Sequence, residues 1–237
     1  LFILLSGACV FFGTASAEIP VSTAIDGQFL PWVVGDGEGG VVVMWEDYRT
    51  GKDWDVYAQR VDSTEKTRWV LNGLAICTAD RNQRRLRMVR HDTHAIVVWN
   101  DRRDSSNWDI YAQAVNLDGE VLWQMDGIPV CVDTADQSTQ AIMSDGEGGA
   151  ICVWEDERRS SEFQDLYIQR ISAAGEPVWK VDGIPIFPSE SLQSNPIPIR
   201  EFWRLPTRFR VSHNQKGFHQ GTLSCFCIYF LSYHNQV

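Results

Sequence analysis

Trp45, Trp99 and Trp154 recur at intervals of 54 and 55 residues. Tyr57, Tyr111 and Tyr167 keep nearly the same period, as do Trp69, Trp123 and Trp179, and Gly73, Gly127 and Gly183. A period of this length marks one supersecondary unit that cannot bury its apolar faces alone and stacks on its neighbours. Eight of the ten tryptophans occupy three repeat positions, with Trp54 and Trp108 at the third and Phe163 as their counterpart. Most of the tryptophans therefore belong to the repeat itself.

Gln28, Gln83 and Gln137 open three units, 28–82, 83–136 and 137–192, and Gln193 opens a fourth that stays in register only over 193–199. In each unit an apolar segment such as 29–34 is followed by a turn. Two of these turns read Asp-Gly-Glu-Gly-Gly, from Asp36 and from Asp145; the middle unit has His91-Asp92-Thr93-His94. An apolar run ends in W-x-D-x-R, a polar loop leads to D-x-Y-x-Q, and a second turn carries Gly119 or Gly175. Gly-rich turns and Asp-Gly pairs supply the positive φ of tight hairpins, and no stretch has sustained helical periodicity. The pattern predicts four short strands per unit, the last holding the second Trp, in an all-β chain of antiparallel four-stranded units.

The run Val41–Trp45 does not alternate, and the D-x-Y-x-Q strand is apolar on one face while carrying Tyr and Gln on the other. Strands buried on both faces must lie in stacked sheets. Four-stranded sheets stacked around an axis make a β-propeller. This chain would hold three blades and the start of a fourth. Tandem β-sandwiches are the alternative, but they need about 100 residues per domain. The pattern W-x-D-x-R … D-x-Y-x-Q … W … D-G-x-P-[VI]-C resembles the repeats of uncharacterised secreted bacterial β-propeller-like proteins, over residues 28–199. The resemblance implies an extracellular or surface location and no particular activity.

The net charge of −10 and pI of about 4.9 argue against nucleic acid as a partner, because phosphate binding needs a basic patch. Residues 1–17 combine a short apolar run with Ala15-Ser16-Ala17, the form of a secretory signal peptide. The run is short of the about 20 apolar residues of a membrane span, so no transmembrane segment is expected in the mature chain. Cys77 and Cys131 sit where the third unit has Phe187, and Cys152 where the others have Val43 and Val97. Cysteine that exchanges with Val and Phe is acting as a small buried hydrophobe. Residues 200–237 form an atypical tail with five basic residues and one acid, outside the repeat.

In an antiparallel meander the W-x-D-x-R loops share one end of the units. Their charged residues, Asp47, Arg49, Asp101, Arg103, Asp156 and Arg158, are the candidate ligand-binding set. Asp and Arg together can hold a sugar or a carboxylate, but as repeated residues they also read as turn-capping pairs. Asp36 with Glu38, and Asp145 with Glu147, are too few oxygens for a calcium site. His91 and His94 break the symmetry but lack a third metal ligand. Asp55, Tyr57, Gln59 and their equivalents read as buried hydrogen-bonded groups. No catalytic set and no cofactor motif is present. The expectation is a secreted or cell-surface, non-catalytic module that recognises a protein or a glycan. The alternative is part of a secreted carbohydrate-active, glycosidase-like propeller enzyme. Open sheet edges would also permit self-association.

Overall fold

The computed structural model describes residues 2–5, 8–11, 18–104, 106–159, 164–187, 210–211 and 228–229. The expected opening of a fourth unit, and all but four residues of the tail, lie outside this set.

Three short strands come first: β1 (Phe2–Leu5), β2 (Ala8–Phe11) and β3 (Glu18–Pro20), with β1 antiparallel to β2 and parallel to β3. The first unit is β4 (Gln28–Gly35), β5 (Val41–Asp47), β6 (Asp55–Val61) and β7 (Leu74–Cys77). The second is β8 (Gln83–Arg90), β9 (His94–Asp101), β10 (Asp109–Asn116) and β11 (Ile128–Cys131). The third is β12 (Gln137–Ser144), β13 (Ala150–Asp156), β14 (Asp165–Ile171) and β15 (Ile184–Phe187). Two-residue strands β16 (Arg210–Val211) and β17 (Ile228–Tyr229) pair with each other. Each unit is a separate four-stranded antiparallel sheet in sequence order. The described residues are all β, with no helix, and so none long and apolar enough to cross a membrane.

One expectation changes. The strand after the second turn does not hold Trp69, Trp123 or Trp179; the fourth strand is the apolar segment that follows, as in Leu74–Cys77. The buried Gln of D-x-Y-x-Q is the reason. The Gln59 Oε1 accepts the Trp69 amide and its Nε2 donates to the Val70 carbonyl. Gln113 and Gln169 grip Trp123 and Trp179 in the same way. The side chain takes the place of a ladder and holds the tryptophan segment as a loop. From there the Trp69 indole donates to the Leu117 carbonyl, and Trp123 to that of Ala173, lacing each unit to the next.

Both faces of the middle strands are buried: every residue of β5, β9 and β13 is. Trp45, Trp99 and Trp154 are fully buried, each opposite and stacked on its Tyr. One core lies between the first two units, where Val56, Ile76 and Cys77 meet Leu86, Val97 and Trp99. Another lies between the second and third, where Ile110, Val130 and Cys131 meet Cys152 and Trp154. Cys77, Cys131 and Cys152 are free thiols inside these cores; Cys152 serves as apolar filler, whereas the Cys131 and Cys77 sulfurs also accept from Arg158 at 3.0 Å and Arg103 at 3.6 Å. Burial pushes Cys77 and Cys152 up to about 12, which keeps them protonated and unreactive.

Candidate functional site

The W-x-D-x-R loops and the connections between units lie at one end of the sheets, where the Gln83 amide donates to the Trp54 carbonyl. There Asp47 accepts the Trp45 indole at 2.7 Å, the Arg49 amide at 2.9 Å and the Arg49 guanidinium at 2.8 and 2.6 Å. The guanidinium lies 3.6 Å from the Tyr57 ring centroid and also donates to the Asn72 carbonyl. Asp101 with Arg103, and Asp156 with Arg158, repeat the arrangement. All three aspartates are fully buried. The six candidate residues are thus brought together as three pairs, each joined to the neighbouring Trp, Tyr and loop carbonyl.

At the other end, Asp36 accepts the amides of Glu38 and Gly40, and Arg60 donates to both Asp36 and Glu38. Burial works to raise the Asp36 carboxyl, but these donors hold it below its ordinary value. Arg170 braces Asp145 and Glu147 alike. The middle unit has Ala114 at the arginine position, and its turn has His91 and His94 instead. The two rings stack at 4.8 Å, with His94 Nε2 on the Gly148 carbonyl of the third unit. Among the described residues, no three His, Cys, Asp or Glu gather as a metal-holding group.

Asp55 and Asp109 are buried near other carboxylates. Burial, then the charges of Asp47 and Asp53, pushes Asp55 up to about 6. Burial, then Asp104, pushes Asp109 up to about 7. In the third unit Arg159 reaches Asp165 at 2.9 Å.

A second asymmetric feature lies at the opposite end from the histidines, on the accessible part of the loop end. Phe29 is 46% exposed and meets Trp54 edge-on at 5.1 Å; the Tyr48 ring lies 4.8 Å from that of Trp54, tilted by 36°. The Arg84 guanidinium of the second unit lies 4.9 Å from the Trp54 ring and is held by Glu46 at 2.9 Å. Farther along the first strands, Arg87 lies 5.1 Å from Trp32, which is 38% exposed. An irregularity between Phe29 and Trp32, with Leu30 at a φ of 47°, turns these side chains outward; such bulges re-aim side chains. Strand β8 carries Arg84, Arg85, Arg87 and Arg90 and no acid, in a chain of net charge −10. The place of Phe29 is taken by Arg84 and Ser138 in the other units, and that of Tyr48 by Arg102 and Glu157. Comparing units position by position singles out Phe29 and Tyr48 as unrepeated; their meeting with Trp54 and Arg84 shows only in the fold.

No protein-family model matches the chain, and no curated protein matches it. Among solved structures it is similar to the endo-arabinase from Bacteroides thetaiotaomicron, with a TM-score of 0.39 and 14% identity over 64% of this chain and 62% of that one. It is also similar to the α-L-arabinofuranosidase from Fusarium graminearum in complex with an iminosugar inhibitor, with a TM-score of 0.43 and 13% identity over 70% of this chain and 51% of that one. The chain thus spans less than two thirds of either.

Proposed function

We propose that the three sheets are blades of a β-propeller, and that the exported protein is a non-catalytic module recognising an acidic carbohydrate. The propeller reading is supported by where the sheets converge: first strand β4 lies beside β8, and β8 beside β12. Sheets that meet along their first strands and pack face to face form wedges around an axis. Export is supported by the leader-like residues 1–17.

One observation carries the carbohydrate reading: the partly exposed cluster of Phe29, Tyr48 and Trp54 beside Arg84, at the loop end of the first two units. Exposed aromatic faces offer large apolar area at little entropic cost, suited to the apolar face of a sugar ring. Arginine supplies planar donors for a carboxylate or sulfate. The arginines of β8 favour an anionic ligand. Recognition is favoured over hydrolysis because, among the described residues, the carboxylates raised toward neutrality, Asp55 and Asp109, are 3% and 1% exposed, beyond a substrate's reach.

Affinity electrophoresis in gels containing polygalacturonate, alginate, or neutral galactan tests the reading, with the soluble products analysed in parallel. Retardation by an acidic polymer, no retardation by the neutral one and no shortened products are expected. Equal retardation by all three removes the arginine part of the argument. Chain shortening would replace recognition by the hydrolase alternative.

A further inference from the structure

The segment ahead of the first unit repeats the end of a unit. Ile19-Pro20-Val21-Ser22-Thr23 matches Leu74-Ala75-Ile76-Cys77-Thr78 and Ile128-Pro129-Val130-Cys131-Val132. The structure seats it the same way. The Thr23 amide donates to Asn72 Oδ1 at 2.9 Å, as that of Thr78 does to Asp126 Oδ1 at 2.9 Å and that of Val132 to Asp182 Oδ1 at 3.0 Å. The three acceptors share a positive φ, near 60°. Val21 is 2% exposed, like Ile76 at 2% and Val130 at 3%. It packs on the Trp45 face of the first unit, as Ile76 packs in the Trp99 core and Val130 in the Trp154 core. The likeness continues to the next strand: Asp26 and Arg81, each two residues ahead of the opening Gln, have φ values of 61° and 67°.

A fourth strand in each complete unit pairs antiparallel with a D-x-Y-x-Q third strand. Among the described residues, 18–20 pair only with β1, in parallel, a mode that no unit uses, and no D-x-Y-x-Q strand lies on this edge. We infer that Ile19–Thr23 is the fourth strand of a further unit, and that its edge receives that unit's D-x-Y-x-Q third strand, antiparallel and in the register of the complete units. An exposed edge is a template for such addition. The inference rests on the propeller reading but not on the sugar site, and its test uses no ligand.

The complete units set the register. Val56 pairs with Cys77, and Leu166 with Phe187; Ser22 stands at the Cys77 position. In the full chain, with Cys9, Cys225 and Cys227 changed to Ser and Ser22→Cys introduced, a peptide of the sequence 165–171 carrying Leu166→Cys is added under mild oxidation. A control peptide carries Tyr167→Cys instead. Mass spectrometry should find roughly tenfold more mixed disulfide at Ser22→Cys with the first peptide. A second format works in cis: residues 200–237 are replaced by a copy of 145–171 bearing either cysteine. Register-selective crosslinking in either format supports the inference. Equal yields from the two registers in both formats, or no crosslink in both, overturn it.

Discussion

Arg103 grips the Asp101 carboxylate on both oxygens, through Nε at 3.0 Å and Nη2 at 2.7 Å. Asp101 is fully buried and also accepts the Trp99 indole, while the guanidinium lies 3.7 Å from the Tyr111 ring centroid. The pair therefore fixes strand β9, the following loop and strand β10 together. Removing the cation strands a buried charge. Arg103→Ala is expected to cost about 3–5 kcal/mol. Arg103→Lys should recover less than half of that, because a point charge cannot make the fork or the ring contact. Urea unfolding measures both.

Gly127 has a φ of 88°, and a Cβ there would lie 2.5 Å from Trp99 Cη2. Backbone and ring both oppose a side chain at this position. Gly127→Ala should lose at least about 1–3 kcal/mol. Gly35, with no atom within 4 Å of a built Cβ, is the control: Gly35→Ala should stay within about 0.5 kcal/mol of the parent.

A half-buried histidine and a buried aspartate set opposite pH dependences. Burial, then the neighbouring His94, lowers the pKa of His91, whose ring also faces Asp92, Asp145, Ser144 and the Gly149 backbone. Unfolded histidine then binds a proton before the folded form does. Stability is full above about pH 6.5 and falls as the pH drops through the lowered folded value. Asp109 is raised from 3.8 to about 7, so the folded state holds its proton longer than the unfolded state. Its contribution is full below pH 3.8 and is lost as the pH rises through 7. Asp109→Asn keeps an acceptor for the Asn107 amide, which donates to Asp109 at 2.9 Å. It should raise the melting temperature at pH 8 more than at pH 4. His91→Gln should flatten the loss of stability below about pH 6. Thermal melts across this range check both signs.

The repeat was legible because its large residues do the same work in each unit. Trp45, Trp99 and Trp154 could be read as packing, and Cys77, Cys131 and Cys152 as buried, because both sets exchange with or repeat as core residues. The Asp–Arg pairing at the loop end was also readable, as a turn-capping alternative. The position of the fourth strand was not. A Trp flanked by polar residues reads as a strand until Gln59 is seen holding it away from the ladder. The brace of Arg60 on Asp36 could have been found from its loss at Ala114, where the turn loses Asp-Gly-Glu-Gly-Gly as well. The Phe29–Trp54 cluster needs three dimensions, because its members come from a first strand, a loop and the next unit.

The deciding measurement is calorimetric titration of the full chain, Trp54→Ala and Trp108→Ala with an oligogalacturonate. Trp54 lies among Phe29, Tyr48 and Arg84, while Trp108 has Arg102 at 5.6 Å. The account predicts that Trp54→Ala weakens binding by about tenfold or more, as loss of a central aromatic anchor does, and that Trp108→Ala leaves it unchanged. Binding untouched by Trp54→Ala, or lowered equally by both substitutions, would contradict it.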